Sequence, residues 1–336
     1  SNNDPKISKL YANLGLSAYG YYYFYKTGTV VTDAIFNIGG FIDNSLPSQS
    51  ISPEYISYGL RDDLKNNPIL LKEKQYTAYR TDTLPLVFAG NLSNNLKFKS
   101  DDPVYNQNLV LNSLTQTQGN VLTYSPKVAK IKVTDSELNQ EKKKFTVTRI
   151  SDKEGSVTFT FDGLKPKETA YVQFGKDLMG FADPLTTYHA TQDRNNKPEL
   201  SITINKKDVR LQPQVKQLIG VRANQKGQVQ IKWSLAGNKR ILTSEIPRLV
   251  NINSTLLRSK VSQVNNKKQM HLTTFRDNYL SGKINTTKNE NLVTTIPYSR
   301  GWKVKVDGKP VKVSRTLNVF IGLNMKPGKH TVVMRY

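Results

Sequence analysis

Chemistry near neutral pH needs side chains that ionise, ligate or attack, and this chain of 336 residues holds few in useful arrangements. Cysteine is absent, which removes disulfides, thiolate nucleophiles and thiolate metal sites. The three histidines, His189, His271 and His330, are isolated in sequence and lack partners at zinc or triad spacing. No P-loop, dinucleotide fingerprint, nucleophile elbow, HExxH or EF-hand spacing occurs. The expectation is a chain with no catalytic residue, metal or cofactor of its own. Distant carboxylates converging in space, as in a glycosidase, are the remaining route to hydrolysis.

Aromatic and basic side chains are the better candidates for binding, because a ring stacks on a sugar face while polar neighbours fix its orientation. Tyr298 and Trp302 lie in the stretch Ile296-Pro297-Tyr298-Ser299-Arg300-Gly301-Trp302, followed by Lys303 and Lys305 alternating with Val304 and Val306. That alternation suits a strand with one face in solvent, where Arg300, Lys303, Lys305 and Lys309 can meet phosphate without reading a sequence. Tyr188 and His189, in a polar insertion from Gly175 to Pro198, complete the candidate set for glycan or polyanion contact. The competing reading is core, since a Trp opening a strand usually buries its ring against the opposite sheet. The cluster Tyr19, Tyr21 to Tyr23, Phe24 and Tyr25 divides the same way, and packing is favoured there.

Charge narrows the partners. Lys and Arg number 49 against 26 Asp and Glu, a net of +23. Ser1 to Leu122 is neutral, Thr123 to Arg248 carries +10 and Leu249 to Tyr336 carries +13. Such steps imply separate units, the last two facing something anionic: an envelope polymer or lipid headgroups. Lysine-rich surfaces also serve solubility and protect sheet edges. Nucleic acid is disfavoured, because the cations are spread over many strands.

The elements that must position these residues fall in three parts. Residues 1–122 read as mixed α and β. Asp4-Pro5 opens a helix, Thr32 caps a short one through Phe36, Lys74 to Arg80 and Leu84 to Ala89 are strands, and Asp102-Pro103 opens a helix ending near Gly119. Residues 123–248 have period-two patterning and form a β-sandwich with the inserted loop 175–198. Residues 249–336 form a second sandwich behind a short helix, Ser254 to Val264. The fold class is thus mainly β with an α+β leading part, and two tandem antiparallel, jelly-roll-like sandwiches. An internal repeat supports duplication: Asn205/Asp307, Val209/Val311, Ile219/Ile321 and Gly220/Gly322 are each 102 apart, and the pairs Gly227/Gly328 and Trp233/Tyr336 need slips of one or two residues.

Ser281-Gly282-Lys283-Ile284, the Ile296-to-Trp302 stretch, Val304 to Lys309 and Gly328 to Val333 together resemble the terminal extracellular region of the YfhO-type bacterial membrane proteins. Leu14-Gly15-Leu16, Gly28 to Ala34, Leu84-Pro85-Leu86 with Phe88, and Asn106-Gln107-Asn108 are similar to segments in the same order there. The middle, about Lys127 to Ser244, matches only in strand pattern. The resemblance implies the extracytoplasmic region of a polytopic glycosyltransferase of GT-C type, which uses a lipid-linked sugar donor and acts on envelope polymers such as the lipoteichoic acid of Gram-positive bacteria. Its catalytic acids would lie on loops beside membrane helices absent from this chain, so none is carried over. Asp33 matches the family's Thr-Asp-Ala stretch, where capping or structure accounts for it. The expected partners are the membrane helices of the same parent chain and an anionic polymer or lipid headgroup. The alternative is a secreted carbohydrate-binding or adhesion module without an enzyme, which gene context would distinguish.

Overall fold

The computed structural model describes residues 5–19, 22–25, 28–44, 61–74, 76–175, 200–209 and 216–336. Every strand pair within its sheets is antiparallel, and the fold is mainly β with an α/β leading part. Four α-helices are described: α1 (Pro5–Asn13), α2 (Val30–Phe36), α3 (Pro103–Thr115) and α4 (Ser254–Lys267).

The helix boundaries follow local chemistry. Asp102 caps α3 by accepting from Tyr105 N, with Pro103 at the first helical position. α3 stops at Thr115, before the expected Gly119, because Gln116 adopts the left-handed conformation that closes the last turn. In α2 the cap is Thr29 and not Thr32. Thr29 Oγ1 accepts from Thr32 N, and Thr32 Oγ1 accepts from Thr29 N at 2.7 Å, a reciprocal box with threonine in the usual glutamate position. α4 runs three residues past Val264 and buries Leu257, Val261 and Val264 on one face.

The two copies of the repeat fold alike. In the first, a five-stranded sheet has the order Lys207–Asp208, Leu200–Ile204, Val229–Leu235, Gly155–Phe161, Lys130–Thr134. In the second the order is Lys309–Val311, Lys303–Val306, Gly328–Arg335, Tyr279–Thr286, His271–Arg276. Corresponding strands occupy corresponding places. Asn205 and Lys206, at φ 49° and 68°, make the two-residue turn of the first copy, and Asp307-Gly308, at 53° and 78°, makes that of the second. Positive φ at both positions matches hairpin twist and favours Asn, Asp and Gly, which fill three of the four positions, with Lys206 in the fourth. The facing sheets agree too: Leu218–Arg222, Thr169–Gln173, Arg248–Ile252 in one, Phe320–Leu323, Asn291–Pro297, Val87–Gly90 in the other. Register corrects one sequence pairing. Ile202 lies opposite Trp233 and Val304 opposite Met334, so Met334 is the counterpart of Trp233, and Tyr336 stands beyond the strand.

The edge strand of the second, four-stranded facing sheet, Val87–Gly90, comes from the leading segment, and Leu122–Tyr124 joins the first. One core lies between the sheets of the first copy, around Trp233, Phe145, Phe159 and Phe174. A second lies within the other copy around Leu280, Ile284, Val332 and Met334. The largest joins all three parts of the chain, from Leu14 and Ile35 through Leu111 to Tyr171, Val250, Val261 and Phe320. Lys260 crosses this junction fully engaged, its Nζ donating to Asn112 Oδ1, Thr117 Oγ1 and Gln118 O at 2.7–2.8 Å. Burial lowers its pKa.

The second hairpin carries a titrating clamp. His330 Nδ1 lies 2.7 Å from Asp307 Oδ2 and Nε2 lies 2.8 Å from Lys326 O, two acceptors that the doubly protonated imidazolium satisfies together. The hydrogen bond to Asp307 raises the histidine pKa, and that bond with the one from Thr331 N lowers the carboxyl. Because the folded-state value of His330 lies above its unfolded value, its contribution to stability is full below about pH 6.5 and is lost as pH rises through the folded value. Titration followed by NMR should place His330 above the ordinary histidine range, and Asp307→Asn should bring it back. Equal values in both proteins would remove the clamp.

Candidate functional site

The residues that most resemble catalytic machinery are enclosed. Asp33 leaves the first turn of α2, Arg61 and Asp63 belong to the short turn of 3-10 helix at Asp62–Leu64 and its flank, and Tyr171 sits in Thr169–Gln173. Arg61 Nη1 donates to Asp33 Oδ1 at 3.2 Å, and its Nε and Nη2 donate to the two oxygens of Asp63 at 3.1 Å. Tyr171 Oη donates to Asp63 Oδ2 at 2.9 Å and accepts from Val30 N at 2.8 Å, while Tyr25 Oη lies 2.8 Å from Thr32 Oγ1 and Asp33 Oδ1. Asp33, Asp63 and Arg61 are only 0%, 3% and 7% exposed. Burial raises the pKa of Asp33, outweighing the pull of Arg61, and pushes the Tyr25 and Tyr171 phenols well up. Arg61 is held charged, since Asp63 and Asp33 overcome its desolvation.

This network is a joint. It ties α2 to the Asp62–Leu64 turn and to the first sandwich, and Arg61 also bridges the backbone at Gly220. Any Cβ at Gly220 would overlap the Asp63 carboxylate, and one at Gly322 would overlap Leu92. The matched glycines of the repeat are therefore notches that admit the leading segment in each copy. Asn106, Gln107 and Asn108 work likewise. Asn106 binds Asn13 O and both backbone groups of Lys99, Gln107 joins Leu14 O to the Thr29 hydroxyl, and Asn108 holds the Val121 and Leu122 backbone.

The sequence candidates at the C-terminal end come together in part. Trp302 is half-buried and stands edge-on to Tyr336, ring centres 5.4 Å apart, while Tyr298 is half-buried beneath the Arg315 guanidinium at 4.1 Å. Both Tyr298 and Trp302 pack on the second core, as the packing reading requires, and keep one side accessible. Arg300 and Lys303 are exposed. Tyr188, His189 and nearly all of the insertion lie outside the described residues.

Sheet register reveals what the linear reading missed. Residues opposite one another across an antiparallel sheet share a face. Arg276, Tyr279, Arg335 and Lys303 form one row across four strands. Ser281, Val333 and Lys305 form the next, then Lys283 with Thr331, then Asn285 with Lys329. The outward face of this five-stranded sheet thus carries Arg276, Lys283, Lys303, Lys305, Lys329 and Arg335, with one carboxylate, Asp307, at the turn beside Thr331, where His330 and Thr331 N engage it. All six cations are exposed and none forms an ion pair among the described residues. On the corresponding face of the first copy, Lys130 pairs with Asp162 and Lys232 with Glu154. Lys303 and Arg335 are directly opposite, an arrangement that costs stability through like-charge repulsion. Such a cost is relieved by a bound polyanion. The signal was present in the alternation of charge on Lys303, Lys305, Lys283 and Arg335, but only pairing puts them on one surface.

A second basic feature is an open cleft of about 360 Å³ lined by Lys65, Lys167, Lys207, Arg222 and Asp62. Much of its charge is answered internally: Lys207 pairs with Asp62 at 2.8 Å, Lys65 with Asp43, and Arg222 donates to Asn66.

Comparison with known proteins gives one family. The family model described as bacterial membrane protein YfhO matches residues 1–336. No curated protein matches the chain. Among solved structures, a conserved protein of unknown function from Pseudomonas aeruginosa PAO1, PA5104, is 7% identical, covers 61% of this chain and 92% of its own, and has a TM-score of 0.15.

Proposed function

The chain belongs to the YfhO family of bacterial membrane proteins, and from that premise we propose that it is the extracytoplasmic part of a membrane glycosyltransferase that holds an anionic envelope polymer. No described helix is long and apolar enough to cross a membrane. The transferase chemistry, with its lipid-linked sugar donor, belongs to membrane helices of the parent protein, and this region presents the acceptor. The observation that carries the reading is the sheet face of six cations outside any ion pair among the described residues, whose neighbouring carboxylate, Asp307, is taken up by His330 and Thr331 N, with Trp302 and Tyr336 at its end to stack on sugar. Lipoteichoic acid, a phosphodiester polymer bearing sugars, has the matching chemistry.

Arg335→Glu separates binding from architecture. It turns the repelling Lys303 pair into an attracting one, so stability should hold or rise by about 0.2–1 kcal/mol. Affinity for lipoteichoic acid at low salt should fall by roughly tenfold in the triple variant K303E/K305E/R335E, and the parent's affinity should drop with added salt. Calorimetry of the unmodified protein showing no binding at low salt, or binding unchanged in the triple variant, would reject the acceptor role.

A further inference from the structure

The leading part contains a three-stranded sheet in the order Gly40–Asn44, Tyr76–Arg80, Ile69–Lys72. Its two faces differ in an unusual way. Phe41 and Tyr79, paired across the first two strands, turn toward the central core. Ile42 pairs with Ala78, and Ala78 with Leu71, so these three share the opposite face with Tyr76. A bulge between Ile69 and Leu71 adds Leu70, which lies over Gly40. Ile42 is 67% exposed, Leu70 60%, Leu71 55% and Tyr76 43%. Four large apolar side chains therefore share one uncovered face, at whose margin the edge strand Ile69–Lys72 leaves half its backbone groups unpaired in the sheet.

In water this is a liability, because an apolar sheet face beside a free edge invites association. The rim carries Arg80, Lys72 and Lys74 against Glu73, all exposed, while Asp43 is engaged by Lys65 and Asp82 by Arg258. Aliphatic side chains with a tyrosine, surrounded by long cations, match a bilayer interface: the aliphatics enter the acyl boundary, the phenol stays at headgroup depth, and the cations reach anionic phosphates. The chain's membership in a membrane family supplies such a surface. We propose that this sheet face seats in the interfacial layer of an anionic lipid bilayer and holds the region against the membrane. The inference rests on the sheet and the membrane family alone, and stands or falls separately from polymer binding.

The absence of cysteine makes the test clean. Leu70→Cys carrying an environment-sensitive dye is mixed with vesicles of phosphatidylglycerol and phosphatidylcholine in a 1:3 ratio, with Lys153→Cys as a label on an exposed turn of the first sandwich. The dye at 70 should brighten several-fold and shift to the blue, persist in 0.5 M salt and be quenched by brominated acyl chains, while that at 153 stays unchanged. L71D/I42D should abolish the signal, and K303E/K305E/R335E should leave it intact. An unshifted dye at 70 with vesicles in excess would overturn the proposal. So would a signal retained in L71D/I42D, or one that grows with protein concentration without lipid, which would assign the face to a second copy of the chain.

Discussion

Arg61→Met is expected to destabilise the protein by about 3–5 kcal/mol, measured by denaturant unfolding followed by circular dichroism. The size follows from what remains. Arg61 is the cation for both Asp33 and Asp63, so its removal leaves two buried carboxylates, among the described residues, with the Tyr25 phenol on Asp33 and the Tyr171 phenol on Asp63. One way out is protonation, made easier because burial already raises the pKa of Asp33. The Arg61→Met protein should then lose less stability at acid pH than at neutral pH, since buried Asp33 binds its proton more tightly folded than unfolded. A triple change that also neutralises the acids, R61M/D33N/D63N, should recover a large part of the loss, because the penalty is desolvated unpaired charge and not lost volume. A loss below about 1 kcal/mol in the single variant would mean that the joint opens to water and that the three parts of the chain are not held through it.

Trp233→Ala should cost a similar amount, about 3–5 kcal/mol, in the core of the first sandwich. The ring is fully buried and meets Phe145, Phe159 and Phe174 at centroid distances of 5.4–5.7 Å, so its removal opens a cavity between two sheets that cannot close. Trp233→Phe should cost much less. The indole N–H has no hydrogen-bond partner among the described residues, so phenylalanine removes a burdened donor along with some volume. If both substitutions cost the same, the indole nitrogen contributes and the packing account is wrong. Measured together, the Arg61 and Trp233 variants also tell whether the sandwich unfolds with the joint or apart from it.

Buried polar groups in this chain serve its architecture, and the accessible cations gather on a surface. Asp33, for which capping or structure is the expectation, and the Asn106-Gln107-Asn108 run are saturated by partners that link separate segments of the chain. Their polarity serves assembly: loops crossing between sandwiches leave backbone groups that only buried amides and an ion network can satisfy. The cations that remain unanswered are on the opposite side of the problem, at outward positions where stability gains nothing from them.

Much of this was written in one dimension. Period-two patterning fixed mainly β structure, the Asp102-Pro103 pair fixed the start of α3, and equal spacing of Asn205/Asp307 and Gly220/Gly322 fixed a duplication whose sheet orders agree. These are local signals, since a strand's alternation, a cap and a two-residue turn depend on neighbours within a few residues. Tertiary structure decided the rest. The strand that completes the second facing sheet arrives from Val87–Gly90, about 200 residues before its partner Asn291–Pro297, and no periodicity encodes which distant edge a strand will join. The same holds for Arg61 between two acids, brought together by the packing of α2 beside the Asp62–Leu64 turn, and for six cations gathered on one face: each residue type is visible in the sequence, but the shared face is set by register between strands, where a slip of one residue would turn those side chains to the other side.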